Sequence, residues 1–184
     1  NRIARNYLTA ARRIDEDVTG FFFATGDIYE EAAHHNAVFV GADREGKPRH
    51  IHKHSTAAQG SFKGNAPGSK PEYSFHWVGG GETLFLFEAP IDMLSFISMH
   101  KQHWKSSSYA AACGVSDKVL WKTMEGRPFI RNVCICLDND ETGQRAAQRI
   151  SKALTEKNIR NQILVPTRKD WNEDLLFLRK EDKK

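Results

Sequence analysis

The chain has 184 residues, with 27 Lys and Arg against 23 Asp and Glu for a net charge of +4. That length supports one large domain or two small ones with real cores, and 40% hydrophobic with 27% charged residues is ordinary for a globular protein. No stretch reaches the ~18 apolar residues of a membrane span, so no membrane partner is expected, and the mild basic excess suits a phosphate-rich partner.

The chain opens at Asn1 rather than Met and runs straight into a helical pattern, the expectation for a piece of a longer protein. Residues 2–33 read as helical, with Ile3, Tyr7, Leu8, Ile14, Val18, Phe21 and Phe22 at helical spacing. Asp15 suits a helix cap, and Gly20 or Gly26 an interruption. Ala37 to Val40 reads as a strand, 42–47 as a hairpin turn, and Pro48 to Lys53 as the returning strand. Residues 55–71, rich in Gly and Pro, read as loop. Gly79-Gly80-Gly81 punctuates the chain, and the boundary is set there: a small α+β subdomain over 1–80 and a second unit over 81–184.

After Gly81 strands and helices alternate. Strand 83–88 leads to a helix over 91–103, strand 108–112 to a helix over 116–124, strand 132–137 to a helix over 141–157, and strand 162–165 to a short helix over 172–179. That rhythm predicts a four-stranded parallel sheet of the α/β class, covered by helices on both faces. Cys113, Cys134 and Cys136 are odd in number and lack C-x-x-C spacing, against a disulfide framework or a zinc ribbon. Cys134 and Cys136 read as small hydrophobes of a buried strand.

Two of these strands stop at carboxylates about fifty residues apart, Phe87-Glu88-Ala89-Pro90-Ile91-Asp92 and Leu137-Asp138-Asn139-Asp140-Glu141-Thr142-Gly143. Ligands of open α/β sheets bind at the carboxyl ends of strands. Three carboxylates gathered there repel one another unless a cation intervenes, and Mg²⁺ is a hard cation that takes one or two carboxylates plus substrate phosphates. Other readings of the second motif fare worse. A calcium loop fails because its fifth and twelfth positions are Thr142 and Arg149. The D-x-D-x-T of haloacid-dehalogenase-like phosphatases matches Asp138 to Thr142, but that motif opens its domain and here only 42 residues follow Thr142.

The ordered pair of motifs resembles the Toprim domain of bacterial primases, topoisomerases of types IA and II, and OLD-type nucleases. Phe87 to Asp92 with Leu94-Ser95, and Asp138 to Gly143 with Ala146-Ala147, look like the two motifs of primase-like Toprim proteins of plasmids and conjugative elements. Lys169-Asp170-Trp171-Asn172-Glu173-Asp174 is similar to the lysine–acid segment that closes the primase version. Tyr7-Leu8 with Arg12-Arg13-Ile14, the Val38–Lys47 hairpin, and Gly68-Ser69-Lys70 resemble features of the primase core's first part. Where the primase hairpin runs into a Gly-Arg segment, this chain has His52-Lys53-His54-Ser55.

The resemblance implies a Toprim fold preceded by a primase-core-like subdomain. It implies Mg²⁺ (or Mn²⁺) on Glu88, Asp138 and Asp140, with Glu88 also a general acid or base, and Asp170 a further ligand or the cap of the last helix. Asp92, one helical turn after Glu88, is either a secondary acid of the same pocket or a helix-start carboxylate. Arg12, Lys53, Lys70, Arg145 and Lys169, with Arg13 and Lys63, are the candidate phosphate contacts. The activity implied is primer synthesis from nucleotides on DNA or RNA, with a Toprim nuclease or a non-catalytic nucleic-acid-binding module as alternatives. Helicase or relaxase modules of a longer protein are the implied partners, and the bacterial cytoplasm the implied compartment. His50, His52 and His54 alternate on one strand face and are expected at a surface or against phosphate rather than on zinc.

Overall fold

The structure is a computed structural model that describes residues 1–57, 62–114 and 116–181. Its first half begins with helix α1 (Arg2–Asn6), a π-helical turn (Tyr7–Ala11) and helix α2 (Glu16–Thr25). The single helical segment expected over 2–33 is therefore broken. Asp15 caps α2 by accepting from the N–H groups of Asp17 and Val18, and Gly26 ends it with a left-handed φ of 82°. Strand β1 (Ile28–Glu30) follows where helix was predicted. Its Glu30 carboxylate accepts from the N–H groups of Ile3 and Ala4, first-turn donors that α1 cannot satisfy by itself.

Strands β2 (Ala37–Ala42), β3 (Pro48–His54) and β4 (Lys63–Asn65) complete an antiparallel sheet of order β1-β2-β3-β4. β4 lies inside the stretch read as loop; residues 58–61 of that stretch fall outside the described residues. Between β2 and β3 the Asp43 carboxylate accepts from the N–H groups of Glu45 and Lys47, closing the hairpin turn.

The second sheet has five strands. β6 (Thr83–Phe87), β7 (Ser108–Ala111), β8 (Asn132–Cys136) and β9 (Arg160–Ile163) run parallel in the order β7-β6-β8-β9. The short strand β5 (His76–Trp77) pairs antiparallel on the outer edge of β7. Helices α3 (Pro90–Met99), α4 (Lys118–Met124), α5 (Glu141–Glu156) and α6 (Trp171–Glu181) fill the connections and the end. None of the described helices is long and apolar enough to cross a membrane.

Alternation along the parallel strands feeds two cores. Leu84, Leu86, Val133, Ile135 and Leu137 pack with Ala146, Ala147, Ile150 and Leu154 of α5 and with α4. Phe87, Cys134, Cys136, Tyr109 and Ala111 pack the other way, against α3, α6 and the first half of the chain. That second core is continuous from Leu8 and Phe22 through Phe39 of β2 to Leu94 and Trp171, so the antiparallel sheet rests on the parallel one through shared apolar side chains. Trp104 and Tyr109 are core residues.

At one point the two halves approach by backbone. A Cβ placed on Gly41 of β2 would lie 1.6 Å from the carbonyl oxygen of Tyr73. Gly41→Ala must push the antiparallel sheet away from the segment entering β5, and a loss of about 3 kcal/mol or more in urea denaturation is expected. A variant as stable as the parent would show that this approach is not required.

Candidate functional site

β6 sits between β7 and β8, and its two neighbours are reached by connections that leave in opposite directions. This is the switch point of the sheet, where a crevice opens beyond the carboxyl ends of the strands. The pairing of Phe87 with Cys136 brings the two acidic strand ends side by side. Glu88 is the first residue beyond β6, and Asp138 the second beyond β8. A cleft of about 320 Å³ opens there, large enough for a small ligand.

Four carboxylates line it: Glu88, Asp92, Asp138 and Asp170. Oε2 of Glu88 and Oδ1 of Asp138 are buried without a hydrogen-bond partner. Burial, then the charges of Glu88, Asp170 and Asp140, push Asp138 up from 3.8 to about 7. Glu88 is raised by burial and then by Asp140, and Lys63 and Lys169 draw it partly back. Asp92, in the first turn of α3, is 6% exposed and is raised well above 3.8, first by burial and then by Asp138 and Asp170. Its Oδ1 accepts from the backbone N–H of Asn172 at 3.2 Å, so it belongs to the cleft wall and makes no capping bond within its own helix.

The remaining predicted acids have local partners. Asp140 caps α5 by accepting from the Gly143 N–H at 2.8 Å; it is exposed, lies outside the cleft lining and reaches Glu88 and Asp138 only through its charge. Asp170 lines the cleft and also accepts from the Glu173 N–H at 2.7 Å, the cap expected at the start of α6. Gly143 is where α5 meets the strand end: a Cβ there would lie 2.3 Å from the Asp138 carbonyl oxygen. The glycine of the D-x-D-x-x-G pattern is thus needed for close approach.

Of the cations, Arg12, Lys63 and Lys169 line the cleft. Lys53 points to the other face of β3 and pairs with Glu31. Lys70 is exposed beside the short turn Pro71–Tyr73, outside the cleft lining. Arg145 is exposed and pairs with Glu141 one turn back on α5, and Arg13 lies exposed in a separate hollow with Arg179.

Of the β3 histidines, His50 and His52 are not at a surface. His50 and His52 are 1% and 5% exposed because their face of β3 turns inward onto the parallel half. His52 bonds Asn65 Oδ1 through Nδ1 at 2.7 Å, and His52 and His54 both line the cleft. Cys113 lines it too, its thiol pushed up to about 12 by burial.

Asn172 is the site residue that the sequence pattern concealed. It is 2% exposed, its amide donates to the Arg12 carbonyl oxygen and to Ser95 Oγ, both at 2.9 Å, and its Oδ1 accepts from Arg12 Nη1 at 3.1 Å. It reads as an ordinary residue of a helix start, and its partners are 77 to 160 positions away. The loop after β8 is pinned to the same segment, with Asn139 N–H donating to the Lys169 carbonyl at 2.7 Å and Trp171 Nε1 to the Cys136 carbonyl at 2.8 Å.

Residues 85–175 match the family described as Toprim-like. This part of the chain is Toprim-like. Residues 6–81 match a second family, described as protein of unknown function (DUF3991). The chain is 28% identical over 167 residues to the uncharacterized Bacillus anthracis protein pXO2-78, a match that covers 84% of the chain and 48% of that relative, so it spans about half the relative's length. Its fold is that of primase catalytic cores. The primase fragment of the bacteriophage T7 primase-helicase aligns with a TM-score of 0.67 at 18% identity, over 94% of this chain and 70% of that one. The E. coli primase catalytic core aligns at 0.64 and 15% identity, over 98% and 69%. The RNA polymerase domain of Mycobacterium tuberculosis primase aligns at 0.61 and 16%, over 97% and 74%.

The donor set of the Toprim half fits a hard divalent cation. Two carboxylate oxygens are buried with no hydrogen-bond partner. Among the described residues no group of three His, Cys, Asp or Glu side chains could hold a metal ion by itself. An open set of this kind suits Mg²⁺, which keeps waters and takes phosphate oxygens.

Asp138 yields its proton near 3.8 when unfolded and near 7 when folded. The folded chain therefore binds more protons between those values, and stability falls as pH rises through that window. Asp138→Asn should reduce this slope, leaving the part due to Glu88 and Asp92, and, at pH 7.5 in chelator, raise stability by about 1–2 kcal/mol after allowance for solvent screening. Urea denaturation across pH 4–8 measures it, and Mg²⁺ should stabilise the parent but not the variant. Gly143→Ala should cost about 1–3 kcal/mol and also weaken that Mg²⁺ effect, because the shifted atom belongs to Asp138.

Proposed function

We propose that this chain is the catalytic part of a Mg²⁺- or Mn²⁺-dependent enzyme that transfers phosphoryl groups on nucleic acid, nearest in action to a primase. The observation that carries the reading is the pairing of two buried, unpartnered carboxylate oxygens, on Glu88 and Asp138, with three cations, Arg12, Lys63 and Lys169, in one cleft. Such a cleft suits a ligand that brings both a metal ion and phosphate oxygens.

Glu88 and Asp138 would hold the metal, with Asp170 and Asp140 adding negative charge beside them. When bound, the metal supplies Lewis-acid stabilisation of phosphate oxygens and alignment for an in-line displacement. Arg12, Lys63 and Lys169 bind the phosphate oxygens that the metal leaves free. Asp92 acts behind them: through the Asn172 N–H it sets the residue that holds Arg12 in place. Shared core packing keeps the basic and acidic walls at a fixed separation.

Residues 1–80 serve as the subdomain that carries most of the basic wall and 81–184 as the Toprim part, with β5 lent across between them. The polymer is DNA or RNA and the small substrates are nucleotides. Helicase or relaxase modules are the partners proposed for a longer protein, and a reducing cytoplasm is the compartment that suits its three free cysteines.

Incubation with Mg²⁺, single-stranded template and labelled nucleotides, beside labelled DNA, tests the reaction. Labelled oligomers are expected, with product reduced at least about 100-fold in Glu88→Gln and Asp138→Asn while template binding persists. Shortened DNA instead would make the enzyme a nuclease. Binding without product, lost in Lys63→Ala and Lys169→Ala but not in the acid variants, would make it a binding module.

A further inference from the structure

His54 ends β3 in the wall of the cleft that also holds Glu88 and Asp138. Its Nδ1 lies 2.9 Å from the Ser55 carbonyl oxygen and 3.2 Å from Tyr7 Oη. A carbonyl oxygen can only accept, so Nδ1 carries the ring proton and the lone pair is left on Nε2. Tyr7 Oη agrees with this assignment: it already accepts from Arg12 Nε at 2.7 Å and has lone-pair capacity for the same Nδ1–H. The ring lies tilted against Tyr7 with centroids 5.7 Å apart, which fixes its plane.

The groups around the ring keep it uncharged. Burial lowers its affinity for a second proton, the Ser55 carbonyl partly restores it, and Arg12, His52 and Lys63 lower it further, below its ordinary 6.5. The side chain is therefore a neutral base at physiological pH and not a phosphate-holding cation. A neutral imidazole with a pinned tautomer can take up a proton.

We propose that His54 Nε2 is the proton acceptor for the hydroxyl that attacks phosphorus in this cleft, an inference that rests on the phosphoryl-transfer reading above. The O–H bond breaks and its proton passes to Nε2. The electron pair of that oxygen forms the new O–P bond, and the bond from phosphorus to the leaving oxygen breaks, its pair departing with pyrophosphate when a nucleotide is the donor. The Ser55 carbonyl accepts from Nδ1–H throughout and stabilises the imidazolium as it forms. The imidazolium then returns its proton to solvent. Glu88 is left free of proton transfer and available to the cation.

Two measurements test the role. Nitrogen NMR of ¹⁵N-histidine-labelled protein at pH 7.5, with the His54 signal assigned from its loss in His54→Gln, reads the tautomer without turnover. The Nδ1–H form is expected, and the Nε2–H form would overturn the proposal. In the nucleotide and DNA assays, His54→Ala should fall about 100-fold or more and recover about 10-fold with added imidazole. If His54→Ala does not fold, His54→Gln keeps a hydrogen-bonding side chain and is read in the same way. An unchanged rate, or a loss that imidazole does not restore, overturns the role of His54 while the parent's activity stands. No Mg²⁺-dependent product from the parent overturns the phosphoryl-transfer reading and this role together.

Discussion

Like charges held together at low solvent exposure are the constraint on which this architecture turns. The parallel register of β6 against β8 places Glu88 next to Asp138, and the switch in strand order opens a cleft directly above them. Each carboxylate would be comfortable alone in water, but burial first and then neighbouring carboxylate charge raise the proton affinity of both, and two of their oxygens have no hydrogen-bond partner. Nothing in a purely structural role requires such an arrangement. Much of the surrounding structure secures it: the glycine that lets α5 approach Asp138, the caps at Asp140 and Asp170, and the bonds that pin the β8 loop to the Lys169 segment.

The first half of the chain supplies what the acidic half lacks. Its antiparallel sheet turns the face bearing His52, His54, Lys63 and Asn65 toward the cleft, and the π-helical turn after α1 leads into Arg12. These residues are held by hydrogen bonds that cross the molecule. Arg12 joins Asn172, Asn172 joins Asp92 and Ser95, and Tyr7 joins both Arg12 and His54. A single apolar core beneath them, from Phe22 and Phe39 to Phe87 and Trp171, makes the two walls one rigid body of packing rather than two lobes in loose contact.

Legibility in the sequence followed the range of the interactions. The four parallel strands and the helices after Gly81 were readable because apolar runs and helical periodicity are local signals, and strand ends were misjudged by no more than two residues. The first half was harder. β1 was hidden in a helical pattern because three residues carry no periodicity, and β4 was hidden among glycines because its pairing with β3 is long-range. The histidines read as a surface feature because alternation along β3 says which residues share a face but not what that face meets.

Sequence alone determined the chemistry available: two strand ends bearing Glu88 and Asp138, a helix-opening Asp140, a closing Lys169-Asp170, and the Toprim resemblance that these carry in order. Only the tertiary structure decided which of the remaining polar residues join them. It brought Arg12, Lys63, Asn172, His52 and His54 to the cleft, and it left Lys53, Lys70 and Arg145 outside. The reason is physical. A motif reports neighbours along the chain, whereas the electrostatic surroundings of a buried carboxylate depend on every group brought within a few ångströms of it. Those groups came from segments up to 160 residues away.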